Sequence, residues 1–198
     1  MKKSLFLAAC AVFAFSFARA TTVIPPSFDE LVAQAEVIFQ GTVTDVQSQW
    51  TGEGGQRHIV TLVTLKVEDA LKGDPGASYT VRMFGGTVDG TTMEVSDTPK
   101  FKVGDRDILF VEHNGTQFVP LVGIMHGRFR VKADAERGAD VVVKDNGAAV
   151  TDLAQLGKED FLKDDHATTN TPQAKGSGSL DAVSFKSAIR AKLAANQK

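Results

Sequence analysis

Four histidines, His58, His113, His126 and His166, are the side chains best suited to proton transfer or metal binding. No two have the i, i+4 spacing of a helical zinc pair, and neither His-x-His nor Cys-x-x-Cys occurs. His58 and His113 flank expected strand ends and read as solvent-facing. His126, in Gly123-Ile124-Met125-His126-Gly127, lies between apolar strands and glycines, where it reads as a partly buried structural histidine. Asp160, Asp164, Asp165 and His166 form an acidic cluster without the rigidity of a metal site, so they read as solvated charge. No G-x-S-x-G, S-x-x-K or phosphate-binding P-loop is present. The glycine-rich Phe84-Gly85-Gly86-Thr87-Val88-Asp89-Gly90 leads into no helix, so no ring of helix amides awaits a phosphate; a bulge or close backbone contact fits better. Asp105 and Asp107, with Arg106 between them, suit a turn held by side-chain to backbone bonds. These patterns assign no catalytic residue, no metal ligand and no cofactor.

Binding chemistry has better candidates. Arg128, Arg130 and Lys132 alternate with Phe129 and Val131, which predicts a basic ridge on the exterior of the sheet. Trp50 ends a strand just before Thr51-Gly52-Glu53-Gly54-Gly55, and a tryptophan exposed there would anchor a partner. Buried, it would plug the mouth of a barrel.

Compartment follows from the first residues. Lys2 and Lys3 precede an apolar run from Leu5 to Phe17 and then Ala18-Arg19-Ala20, the layout of a signal peptide cut after Ala20. Leu7-Ala8-Ala9-Cys10 also matches the pattern before a lipidated cysteine, but only about five apolar residues precede it, short of the usual run. The chain is therefore expected to be exported, to the periplasm or the medium. Losing Lys2, Lys3 and Arg19 takes the formal charge from −2 to −5 and removes Cys10, the one cysteine. An acidic chain argues against nucleic acid as partner, and no later stretch is apolar enough to span a membrane.

The elements that must position these residues can be read in order. Ser27 and Glu30 form a capping box for a short helix whose Phe28, Leu31, Val32 and Ala35 share a face. The period then changes: Val37, Phe39 and Val43 lie on one side of a long strand, and Gly41 marks a bend or bulge. A second long strand, His58-Ile59-Val60-Thr61-Leu62-Val63 and onward to Leu71, is rich in β-branched residues. Lys72-Gly73-Asp74-Pro75-Gly76 turns the chain into a strand from Tyr79 to Phe84, and Val88-Asp89-Gly90 suggests a hairpin. Asp107 to Glu112 is a continuous apolar run, as in a strand covered on both sides. Asn114-Gly115 predicts a hairpin with Gln117 to Val122 as its return strand, and Asp145-Asn146-Gly147 predicts another. Short-spaced strands without long helices between them predict a mainly β fold, an OB-like β-barrel or small β-sandwich.

The expected divisions are a signal peptide (1–20), a β-barrel domain (21–162), a flexible linker (163–179) and a C-terminal amphipathic helix (180–198). The linker is polar and small, too poor in apolar surface to offset its chain entropy, so protease should nick it. On this reading, truncation at residue 165 leaves the melting transition nearly unchanged. The helix is carried by Phe185, Ile189 and Leu193 on one stripe, with Ser184 or Asp181 as its cap.

Four stretches together, Leu31 to Val43, Lys66 to Gly73, Gly85 to Gly90 and Lys102 to Val111, resemble a widespread class of exported bacterial β-barrel proteins. Ala35-Glu36-Val37-Ile38-Phe39-Gln40-Gly41-Thr42-Val43 is also similar to the first strand of the netrin-like OB barrel in tissue inhibitors of metalloproteinases. The resemblance spans about residues 27–132 and implies an OB barrel. In those inhibitors an N-terminal cysteine chelates the protease zinc; this chain would begin at Thr21 with no cysteine, so that mechanism is not implied. The functional expectation is an exported, non-enzymatic binding or interaction module for a protein or other extracellular ligand. The alternatives are inhibition of an extracellular protease through Thr21-Thr22-Val23-Ile24-Pro25-Pro26, or an exported hydrolase.

Overall fold

The computed structural model describes residues 24–96, 98–158 and 178–196. The expected signal peptide, the acidic cluster around residues 160–166 and nearly all of the expected linker lie outside these residues. The short helix α1 (Phe28–Gln34) begins as its sequence demands: Glu30 N–H donates to Ser27 Oγ at 3.3 Å, and Ser27 N–H donates to Glu30 Oε2 at 2.8 Å. Near its other end the carbonyls of Val32 and Ala33 accept from Lys72 Nζ at 2.8 and 3.1 Å. Leu31, Val32 and Ala35 are buried.

The fold is mainly β. Six antiparallel strands, in the order β3-β2-β1-β6-β7-β8, form one open sheet with β3 and β8 at its ends. They are β1 (Val37–Thr51), β2 (His58–Lys72), β3 (Ser78–Phe84), β6 (Arg106–Val111), β7 (Arg128–Asp134) and β8 (Ala139–Lys144). A small hairpin, β4 (Gly86–Val88) with β5 (Thr91–Met93), stands apart. The register of β1 on β2 slips at Ile38/Phe39, Gln40/Gly41 and Val43/Asp45. Gly41 occupies the second slip because a Cβ there would lie 2.6 Å from the Lys66 carbonyl oxygen. Such bulges raise the twist and bend the sheet, which carries an apolar core on each face.

Alternate side chains of β6 divide between the two cores. Ile108 and Phe110 of β6 face α1, Phe129, Val131 and Val142, while Leu109 and Val111 face Phe39, Val43, Val63, Leu65, Val81 and Met83. β1 and β6 therefore serve both cores, which accounts for the unbroken apolar run of β6. Both outer edges of the sheet are occupied. On β3, Asn114 receives the Arg82 amide at 3.0 Å and gives a side-chain N–H to the Thr80 carbonyl at 2.8 Å, and the Phe84 amide donates to Phe118 O at 2.7 Å. On β8, the Val142 and Lys144 amides donate to Leu180 O and Ala148 O at 2.9 and 2.8 Å. Covered edges resist pairing with foreign strands.

Two expectations change here. Asn114-Gly115 does not open a regular hairpin: after it only Leu121 bridges β6, and Pro120, which lacks an N–H, interrupts the return. Asn114 instead spends its amide side chain on β3. The C-terminal helix α2 (Ala182–Ala195) is no separable appendage. Asp181 caps it through Ser184 N–H at 2.8 Å, and Ala182, Phe185 and Ile189 are buried in the first core. The Phe185 ring lies 4.9 Å from Phe129 and meets Phe28 and Phe110 edge-on. Asp69 of β2 receives Lys186 at 2.9 Å and Arg190 at 2.6 Å.

Candidate functional site

Arg128 corrects the expected basic ridge. It is 1% exposed, among the largest fully buried side chains, and sits in a box of carboxylates. Its Nε and Nη2 both donate to Asp107 at 3.0 Å, Nη2 also reaches Asp105 at 2.8 Å, and Nη1 reaches Asp145 at 3.0 Å. The Phe101 ring covers the guanidinium, its centroid 3.9 Å away. Alternation fails as a guide because the loop before β6 folds over this face of β7. Arg130, half-buried, shares Asp105 at 3.1 Å; only Lys132 is exposed. Burial pushes the Asp107 carboxyl up, against the pull of Arg128. Burial also works to raise Asp105, but the Lys102 amide and Arg128 outweigh it and hold that carboxyl below its usual range. Arg128 has no spare N–H for a ligand, so its work is positional: its Nη1 donates to the Lys100 carbonyl at 2.8 Å and fixes Lys100 and Phe101 in place.

Phe101 is one wall of a cavity of about 250 Å³ between the curled sheet and the β4–β5 hairpin. Its other walls include Val46, Ser48, Met83, Phe84 and Met93. The hairpin is seated closely. Gly86, at φ +138°, lies so near β1 and β2 that a Cβ would come within 2.4 Å of the Ser48 and Thr61 hydroxyls. Those hydroxyls bond each other at 2.9 Å, and Thr61 donates to the Gly85 carbonyl at 2.7 Å. Glu94 and Lys100, both largely exposed, pair at 2.6 Å on the cavity's lining.

Beside this cavity β1 has an open edge. β6 covers its second side only from Val37 to Thr42, and the loop before β6 extends the cover to Val43 through Asp105 O and Gly104 N–H, both at 2.8 Å. From Asp45 to Thr51 β1 pairs with β2 alone among the described residues. The direction of each amide follows from the alternation of an antiparallel ladder. On β2, Ile59 O and Val67 N–H bond toward the β3 side, so Val60, Leu62 and Thr64 bond β1. Their partners are Gln49, Gln47 and Asp45, which leaves the amides and carbonyls of Val46, Ser48 and Trp50 turned outward. The side chains of these three share the concave face of Val63, Thr61 and Ile59, their register partners.

Trp50 is half-buried at the end of this edge, with the Arg57 guanidinium 4.5 Å from its ring centroid. It is neither a free-standing anchor nor a plug, but a platform with one face taken by a cation. His58 stacks on Phe84 and hydrogen-bonds Gln56 O through Nδ1 at 2.8 Å, half-buried where solvent exposure was expected. His113 is exposed and pairs with Glu36 at 2.9 Å; His126 is half-buried, and burial, aided by Lys144, pushes its imidazole below the usual value. Among the described residues no histidine lines the cavity, and His58 reaches it only by stacking on Phe84. Sequence reasoning missed the open edge, because the difference in strand length becomes an overhang only once the six-residue β6 pairs with the fifteen-residue β1. No group of acidic, histidine or cysteine side chains that could hold a metal occurs among the described residues, and none of their helices is long and apolar enough to cross a membrane. No protein-family model, curated protein or solved structure matches this chain.

Proposed function

We propose that the chain is an exported, non-enzymatic binding module built on an open, OB-like curled sheet, which holds a protein partner in the groove beside β1. One observation carries this reading: among the described residues the edge of β1 from Asp45 to Thr51 stays open next to a cavity, while both outer edges of the same sheet are covered. An exposed edge invites unwanted pairing, and folds that block two edges and leave a third open have a use for it. The groove also has the composition of a binding site, with apolar walls, a few polar groups and an aromatic platform at one end. Export is supported by the signal-like first twenty residues.

The test is capture of partners from periplasm or culture medium by wild-type protein and by Trp50→Ala. Loss of the ring should weaken a captured partner by about 2 kcal/mol if it is a hot spot, with the fold checked by circular dichroism. A partner held equally by both proteins would place the interface elsewhere. Turnover in a hydrolase panel, or inhibition in a protease panel that survives Trp50→Ala, would favour the alternative functions.

A further inference from the structure

We infer that the occupant of this groove is an extended segment of another protein, added to the sheet as a strand along Val46, Ser48 and Trp50, with uncharged, mainly apolar side chains at alternate positions. This rests on the binding reading above and adds the form and chemistry of the ligand. The outward amides and carbonyls of three alternate residues are the complement of a β-strand backbone. Their side chains lie on the concave face, so a strand paired to them directs every second side chain to that face, where the cavity of about 250 Å³ lies.

Charge selects the occupant. From Val46 to Thr51 the edge carries no ionisable side chain. Glu94 and Lys100, the two charged residues on the cavity lining among the described residues, neutralise each other at 2.6 Å. A charged side chain entering there would lose hydration without gaining a partner. Val46, Met83, Phe84, Met93 and Phe101 offer it apolar contact instead. Main-chain bonds supply affinity in such a mode, and the pocket supplies the choice of sequence.

The probe is a displayed library of random peptides about eight residues long, selected on the mature protein. Enriched peptides should be β-branched or apolar at alternate positions and lack charge there. N-methylation along one such peptide should weaken binding by roughly tenfold or more at every second residue and by less than about twofold between them, since only alternate amides face β1. Ser48→Pro removes an outward N–H without touching the β2 ladder and should weaken binding similarly; Ser48→Ala, which keeps the amide, should not. The methylation scan leaves the protein unaltered, so it decides the matter even if Ser48→Pro misfolds. No enrichment, or a scan without alternation, overturns strand addition. So does a dimer of the free protein that Ser48→Pro disperses, which would make a second copy the occupant. If strand addition fails while a natural partner still depends on Trp50, the binding-module reading survives without it.

Discussion

Arg128 shows what a single residue can and cannot disclose before folding. Its neighbours in sequence alternate like a solvent-facing strand, yet its carboxylate partners come from two loops and a strand edge, 17 to 23 positions away. Nothing local announces that convergence. Removing the guanidinium would leave Asp105, Asp107 and Asp145 facing one another without their cation, so Arg128→Met should cost about 3–5 kcal/mol in denaturant unfolding. A loss below about 1 kcal/mol would show that the box relaxes or fills with water. Gly86 is a second residue with a sharp expectation. Its φ of +138° and the hydroxyls beneath it forbid a side chain, so Gly86→Ala should lower stability by at least about 1–3 kcal/mol in the same assay. The capping box of Ser27 and Glu30, by contrast, was legible because both halves lie within four residues.

At the scale of elements, local signals located the strands well, and tertiary partners decided the rest. β1, β2, β3 and β6 stand where β-branched runs and turn residues put them, and the Gly41 bulge was visible as a break in the apolar face. The hairpin after Asn114 was misread because its side chain is drawn to β3, more than thirty residues earlier. The independence of α2 was misread because a polar linker says nothing about where the helix after it docks. With Phe185 and Ile189 fully buried, Phe185→Ala should cost about 3–5 kcal/mol, and truncation at residue 165 should lower the melting temperature sharply. An unchanged melt would restore the separable helix. Asp69 tests the same docking electrostatically. Burial works to raise its carboxyl, but the bonds from Lys186 and Arg190 outweigh this and hold it low. A carboxyl depressed in the folded state binds its proton later than in the unfolded chain, so its stabilisation is full above the unfolded pKa of about 4 and fades as pH falls through the lower folded value. Melting curves of wild type and Asp69→Asn should therefore differ at pH 6 and converge in acid; a gap that widens in acid would contradict the sign.

For the whole molecule, an open sheet with a core on each face brings together features that no segment holds alone. The proposed binding groove needs the overhang of β1, the closely seated β4–β5 hairpin, and a loop pinned by Arg128. Mainly β architecture was legible from strand spacing; the overhang needed the actual pairing of β6, whose six residues cover only the first part of β1. Of the residues expected to bind, Trp50 ends the open stretch of β1, Arg128 supports the cavity wall through Lys100 and Phe101, and Arg130 and Lys132 lie further along β7, which β6 separates from β1. The proposed partner binding depends on the folded chain presenting that edge to solvent. Residue-resolved amide hydrogen exchange on the free protein tests this most directly. The amides of Val46, Ser48 and Trp50 should exchange faster than those of Gln47 and Gln49, which bond β2, by roughly tenfold or more. Equal, strong protection of all five would show that the edge is already paired and would contradict the account.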